Sequence, residues 1–203
     1  MHNEGYTIFN IREFLQEEND GIGEADLIQI LSDFSCPLNK DVEKFLKERA
    51  IEFTKKNQSV TYLVFSSDDA NLVGYFTLTI KPITINATKF SNTTKRKLLR
   101  VSELDDVTHT FHLAAYLIAQ LGKNYSNGAN FKITGEQLLE IAMSKVRDLQ
   151  FMVGGMVVFL ESEQNDKLIQ FYDNKNGFKE FETRAIGDVK EESHTLIQML
   201  KVL

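Results

Sequence analysis

The apolar positions change their spacing several times along the chain, and each change marks an element. Ala25, Leu27, Ile28, Ile30 and Leu31 cluster on one short segment. Asn39 stands where a helix needs an N-cap. Val42, Phe45, Leu46, Ala50 and Phe53 follow at spacings near 3.6, the stripe of an amphipathic helix. The first sixty residues therefore read as helical. From Val60 the texture shifts to β-branched and aromatic residues, Val60-Thr61-Tyr62-Leu63-Val64-Phe65, closed by the turn cluster Ser66-Ser67-Asp68-Asp69. Leu72–Ile80 reads as a second strand, with Phe76, Leu78 and Ile80 on one face and Tyr75, Thr77 and Thr79 on the other. The pair predicts an antiparallel hairpin.

Residues 82–108 carry one local signal, Ser91 as the cap of a short helix running through Leu99. From His112 to Leu121 the chain is nearly all apolar, and periodicity does not separate a buried strand from a buried helix there. A polar stretch, Asn124 to Asn130, comes next. Thr134 and Gln137 then have capping-box spacing, ahead of a stripe of Leu138, Ile141, Ala142 and Leu149 that Gly154-Gly155 stops. Met156-Val157-Val158-Phe159-Leu160 is continuously apolar, as a strand covered on both faces would be. Asn165 caps a further helix ending near Asn176-Gly177. Strands are expected from Phe178 and over Leu196–Val202. Helices, a hairpin and then β-α-β-α-β predict an α/β fold on one central mixed sheet.

Composition narrows the class. The chain has 203 residues, 42% hydrophobic and 26% charged, the balance of an ordinary soluble domain. A chain of this length buries roughly two thirds of its unfolded surface and needs no disulfide or metal staple. No apolar run approaches the ~20 residues of a membrane helix. Cys36, the one cysteine, precedes Pro37 and reads as a buried, inert thiol in a cytoplasmic protein. Met1-His2-Asn3-Glu4-Gly5 has neither the basic region nor the apolar run of a signal peptide. The net charge of −6 argues against global attraction to nucleic acid. Lys95-Arg96-Lys97 with Arg100 is a local exception, either a solvated helix face or a contact to an anionic ligand or partner.

The polar loop between Leu121 and the helix start at Thr134 is where chemistry is expected. A strand feeding a helix N-terminus through such a loop presents backbone N–H groups and a positive dipole end to an anion. Lys123 and Lys132 flank it. A more specific signal lies further on: Asn165-Asp166-Lys167-Leu168-Ile169-Gln170-Phe171-Tyr172-Asp173-Asn174-Lys175-Asn176-Gly177-Phe178. This segment resembles the closing motif of the GNAT acyltransferase superfamily, approximately N-x-x-A-x-x-F-Y-x-x-x-G-F. Asn165, Phe171, Tyr172, Gly177 and Phe178 match, and Leu168 replaces the alanine. The preceding apolar strand with Glu161-Ser162-Glu163 is similar to the family's fifth strand. Gly135-Glu136-Gln137-Leu138-Leu139 is similar to the start of its third helix, and Gln120-Leu121-Gly122-Lys123 takes the place of its fourth strand. The ordered match covers roughly residues 60–182. The chain further resembles a branch seen in Firmicutes and their mobile elements, some of it grouped with toxin-like acetyltransferases. One departure stands out. The family's pyrophosphate loop is usually Gln/Arg-x-x-Gly-x-Gly/Ala, whereas this chain reads Asn130-Phe131-Lys132-Ile133-Thr134-Gly135. Only the last glycine is kept, and Ile133 stands where a glycine admits close approach to phosphate.

The resemblance implies a single GNAT-like domain over residues 1–203. Residues 1–58 would be a mainly helical N-terminal part, 59–182 the acetyl-coenzyme A core and 183–203 a C-terminal strand region. It implies transfer of an acetyl group from acetyl-coenzyme A to a primary amine, with no metal. Backbone groups of Leu121, Gly122 and Lys123 would pair with the pantetheine arm, and N–H groups from Ile133 through Thr134 and Gly135 to Glu136 would hold the pyrophosphate. Asn130 and Lys132 would assist, and Asn165 would cap its helix, contact the pantetheine, or do both. Tyr172 would protonate the leaving thiolate, though it also suits a core tyrosine. Glu161 is a candidate base or a solvated carboxylate, and His109 and His112 are more naturally structural. The acceptor is a small amine, a protein amine or an aminoacyl-tRNA, and a homodimer is compatible with all three. The alternative is a non-catalytic GNAT-like module that binds an acyl-coenzyme A or a protein such as an antitoxin.

Overall fold

A computed structural model describes residues 5–16, 21–186 and 194–203. Met1–Glu4, on which the reading of the N-terminus as free of a signal peptide partly rests, fall outside them. The chain divides into two compact units, Met1–Thr79 with Ala119–Lys145, and Ile80–Ile118 with Val146–Leu203. Two strands and one helix run from one unit into the other.

The first unit opens with a strand the sequence reading missed, β1 (Tyr6–Asn10), whose Tyr-Thr-Ile-Phe run favours extended backbone. Asn10 ends it and caps α1 (Ile11–Leu15), its side chain accepting from the Arg12 N–H at 3.0 Å. After α2 (Gly23–Ser32), Asn39 caps α3 (Lys40–Glu48), accepting from the N–H groups of Asp41 and Val42. The expected single helix from Asn39 to Phe53 is broken at Arg49, and α4 (Ala50–Lys55) continues the chain. The strands β2 (Val60–Ser66) and β3 (Leu72–Asn86) form the predicted antiparallel hairpin, and β1 adds antiparallel to β2. Ile11, Leu27, Leu31, Phe34, Leu46, Leu63 and Tyr75 make the core that joins these helices to the sheet. Cys36 lies in this core, where burial pushes its thiol upward and keeps it protonated.

The second unit carries the far end of β3 and α5 (Asn92–Leu98), which Ser91 caps as expected. A short β4 (Leu104–Asp105) pairs antiparallel with β5 (Thr110–Lys123), so the apolar run after His112 is a strand. Then follow α6 (Gly135–Val153), β6 (Val157–Glu163), α7 (Asp166–Gln170), β7 (Lys179–Ile186) and β8 (His194–Val202). Gly154 and Gly155, at φ +78° and +96°, stop α6 where the sequence predicted. Strand order is β1-β2-β3-β5-β6-β8-β7, with β4 beside β5. β5 and β6 are parallel, through Tyr116↔Val158, Leu117↔Phe159 and Ile118↔Leu160, while β6–β8 and β7–β8 are antiparallel, so the sheet is mixed and flanked by helices. Ile85, Leu98, Phe111, Leu113, Val157, Phe159, Phe181 and Leu200 form this unit's core. Among the described residues no helix is long and apolar enough to cross a membrane.

Candidate functional site

All the residues expected at the phosphate loop fall in the first unit. The end of β5 is packed too tightly to carry a side chain at Gly122. A methyl group there would overlap Val42, and Phe34 and Tyr75 close the same space. The Gly122 carbonyl in turn lies 2.9 Å from where a Cβ on Gly74 would sit, so two glycines let these backbones meet. Tyr75 is fully buried and donates to the Val42 carbonyl at 2.5 Å, which ties α3 to the strand. Leu121 and Lys123 are half-buried, and loss of water lowers the Lys123 ammonium pKa.

Asn124 fixes the path of the chain after β5. Its side chain is 5% exposed. Its Oδ1 accepts from the Ser35 and Ser126 N–H groups, both at 3.0 Å, and its Nδ2 donates to the Leu72 carbonyl at 2.8 Å. Its own N–H donates to the Val73 carbonyl at 2.9 Å. Sequence reasoning placed Asn124 only within a polar segment. Its one signal is that an amide stands directly after a long apolar run. Past it the chain turns through Asn127 and Gly128, at φ +50° and +75°, in a 3-10 segment.

The start of α6 is built as predicted. The Thr134 N–H donates to Gln137 Oε1 at 2.9 Å and the Gln137 N–H donates to Thr134 Oγ1 at 3.1 Å, a reciprocal capping box. The box leaves out Gly135, whose N–H has no partner among the described residues. Ile133 is 2% exposed, so its side chain is turned into the core rather than toward the loop surface. Lys132 is ion-paired with Asp69 and holds that carboxyl below its usual range, while the Lys132 carbonyl accepts from the Tyr6 hydroxyl at 2.8 Å. The expected positive charge at this flank is therefore largely neutralised. Asn130 is half-buried, and Thr134 and Glu136 are exposed. Gly5, Tyr6, Ser66, Asp68, Lys132 and Gln137 line an open cavity of about 290 Å³ beside the cap.

Glu161, Asn165 and Tyr172 fall in the second unit. Glu161 is less solvated than expected. Its Oε1 accepts from Gln198 Nε2 at 2.7 Å and from Arg184 Nη1 at 3.3 Å. Gln198 is its direct cross-strand neighbour, a pairing invisible before the register was known. Asn165 caps α7 through the Lys167 N–H at 2.9 Å. Past α7 the backbone widens into a π-helical turn, Phe171–Lys175, of a kind often found at functional positions. Tyr172 sits in that turn, half-buried, its ring against Phe171 and the fully buried Phe178 at centroid distances of 4.9 and 6.0 Å. Desolvation pushes its phenol up to about 12. Its hydroxyl has no hydrogen-bond partner among the described residues and is not among the enclosed polar atoms left without one, so solvent or a ligand reaches it. His112 bonds Thr84 and Thr110 through its two ring nitrogens at 3.0 and 3.2 Å, and the His109 carbonyl accepts from the Ala87 N–H.

The fold is that of the GNAT acyltransferases, a mixed sheet flanked by helices. No family model and no curated protein matches the chain. Solved structures do. AtaT complexed with acetyl-methionyl-tRNAfMet is 18% identical, covers 95% of this chain and 93% of its own, and has a TM-score of 0.60. A tyrosine-to-phenylalanine variant of KacT is 18% identical over 95% of each chain, at TM-score 0.58. A tyrosine-to-phenylalanine variant of the AtaT toxin, bound to the C-terminus of the antitoxin AtaR and acetyl-CoA, is 16% identical over 98% of this chain and 93% of that one, at 0.56.

Proposed function

We propose that the chain is an N-acetyltransferase that moves an acetyl group from acetyl-coenzyme A to a primary amine by direct attack. The observation that carries the reading is Tyr172, a largely desolvated phenol on a π-helical turn whose hydroxyl reaches the surface with no partner among the described residues. With its pKa near 12 it stays protonated throughout the physiological range, available to a departing thiolate. The amine nitrogen bonds to the thioester carbon, the carbon–sulfur bond breaks, and the thiolate takes a hydrogen bond or proton from Tyr172. Glu161, held through one oxygen by Gln198 and Arg184, has its second oxygen for the proton the amine releases. Backbone groups of Leu121, Gly122 and Lys123 would align the pantetheine arm and polarise the acyl carbonyl. The N–H groups of Ile133, Gly135 and Glu136, with Asn130 and Lys132 beside them, would take the pyrophosphate, joined by that of Thr134 if Gln137 releases it, and Asn165 would take the pantetheine. The uncommitted Gly135 N–H and the inward-turned Ile133 support that assignment despite the unusual loop.

The ion pair between Lys132 and Asp69 favours a second reading, a non-catalytic module that binds an acyl-coenzyme A or a protein such as an antitoxin. Thermal shift and thiol release separate the two. Acetyl-coenzyme A at about 100 times its Kd stabilises by about 2.7 kcal/mol, a Tm rise of about 5–10 °C at this chain length. No rise at millimolar acetyl-coenzyme A rejects acyl-coenzyme A binding, and with it the transferase. A rise with free thiol released against a panel of amines supports the enzyme, and a rise with none supports the module. Tyr172→Phe should lower turnover about 100-fold or more with acetyl-coenzyme A affinity unchanged. Equal turnover removes Tyr172 from the chemistry.

A further inference from the structure

The groups expected to hold the pyrophosphate are partly occupied from within the chain. Gln137 Oε1 takes the Thr134 N–H at 2.9 Å, and the Asp69 carboxylate takes the Lys132 ammonium. The two occupants differ in kind. Gln137 is neutral and closes a capping box of the sort found at helix starts in general. Asp69 is an anion, bonded to the cation as a phosphate oxygen would be, and it comes from the turn between β2 and β3, 63 positions away. Both partners are anchored independently of their pairing. Ala70, at φ +55°, turns the chain, its N–H donating to the Ser66 carbonyl at 2.9 Å, and Asn71 Nδ2 donates to Asp69 Oδ2 at 2.6 Å. On the other side, the Lys132 carbonyl accepts from the Tyr6 hydroxyl at 2.8 Å, and the Lys132 N–H donates to the Ala129 carbonyl at 3.1 Å. The pair therefore forms where two anchored turns meet, and Lys132 and Gln137 both line the open cavity beside the α6 cap.

We propose that Asp69 is an internal competitor for the donor's phosphates: its carboxylate holds Lys132, and acetyl-coenzyme A gains that ammonium only by displacing it. Asp69 is thus a positioning residue that sets donor affinity through Lys132. The inference rests on the acetyl-coenzyme A reading above. The side chains of the pair are 35% and 39% exposed, so water screens their attraction and the pair is weak. A pyrophosphate carries more negative charge than one carboxylate and also meets the uncommitted Gly135 N–H at the helix end. It therefore wins the lysine, at a cost in affinity. The pair tunes donor binding and does not abolish it.

The test is isothermal titration of acetyl-coenzyme A into the full chain, with Tm measured in the absence of ligand. Asp69→Asn keeps an acceptor for the Asn71 N–H and removes the charge. It should bind acetyl-coenzyme A roughly two- to fivefold more tightly, while its Tm stays equal or falls slightly. A role confined to holding the turn would lower both. Asp69→Glu, which restores the pair, should return affinity to the wild-type value. Lys132→Gln should weaken binding at least about threefold. In that background Asp69→Asn should lose most of its gain, because groups in contact are not additive. Asp68 lines the same cavity and forms no ion pair with a described residue, so Asp68→Asn removes an equal charge from the same turn and should gain less. Unchanged or weaker binding by Asp69→Asn overturns the proposal. So does an equal gain from Asp68→Asn, which is the effect of net charge alone, or a full gain in the absence of Lys132. Wild type binding acetyl-coenzyme A with Asp69→Asn no tighter removes the competitor and leaves the acyl-coenzyme A reading intact. Failure of wild type and every variant to bind removes both.

Discussion

Replacing Asn124 tests whether one buried amide sets the path of the chain into α6. Asn124→Ala removes three side-chain hydrogen bonds, those to the Ser35 and Ser126 N–H groups and to the Leu72 carbonyl. An abandoned buried group costs about 1–3 kcal/mol. Ser35 and Ser126 are only partly shielded, so water recovers some of that and the low end applies to two of the three. The sum is about 3–5 kcal/mol, or a Tm about 6–20 °C lower at this chain length. Asn124→Asp keeps the acceptor and loses the donor to Leu72, leaving a carboxylate oxygen against a carbonyl, so it should be at least as damaging at pH 7 and milder at pH 4. Urea unfolding of the three proteins at both pH values is the measurement. The loop reaches the capping box of α6, so the variants that still fold should bind acetyl-coenzyme A more weakly. A loss under about 1 kcal/mol for Asn124→Ala would show that the surrounding backbone holds the loop unaided, and the assignment of Asn124 as its anchor would fail.

Two further outcomes follow from close packing and from burial. Gly122→Ala should cost about 1–3 kcal/mol by overpacking against Val42. Joined with Val42→Ala it should cost clearly less than the sum of the single losses in a double-mutant cycle, and strict additivity would show that the two side chains do not meet. At high pH, Tyr172 should make the fold alkali-sensitive. Its phenol is raised in the folded state from 10.0 to about 12, so its contribution is complete below pH 10, where both states are protonated. It is lost as pH rises toward 12, where the unfolded chain ionises first. The wild type should lose up to about 2.7 kcal/mol relative to Tyr172→Phe across that window, measured by denaturant unfolding, and parallel curves for the two would refute the shielding of the hydroxyl.

Charge shows how a sum can mislead. A net of −6 speaks against a polyanion as partner, yet electrostatic attraction depends on the charges within about a Debye length. Between Ala70 and Ser102 the sequence holds six cations and no acid. The sequence alone raised Lys95 to Arg100 as either solvated helix face or contact. That Lys95, Arg96, Lys97 and Arg100 form no ion pair with a described residue is a property of the folded chain.

Much of the architecture was local and therefore legible. Asn39, Ser91, Thr134 and Asn165 cap the helices they precede, and Gln137 answers Thr134 from within α6, because a short polar side chain satisfies N–H groups two or three residues away in any fold. The hairpin, the stop at Gly154-Gly155 and the last strands follow likewise from period and turn chemistry. The closing motif around Asn165 and Tyr172 was readable because its residues are neighbours in sequence. Tertiary structure decided what depends on partners far along the chain. The run after His112 is a strand because β3 and β6 flank it, and β1 is a strand because β2 supplies its ladder. Helix α3 ends at Arg49 although the apolar stripe continues. Glu161 is held by residues 23 and 37 positions away, Lys132 is neutralised by one 63 positions away, and Asn124 bonds residues 52 and 89 positions back. Local propensities act within a turn or two of chain, whereas a side chain's partners and water access are fixed only when distant strands come into register.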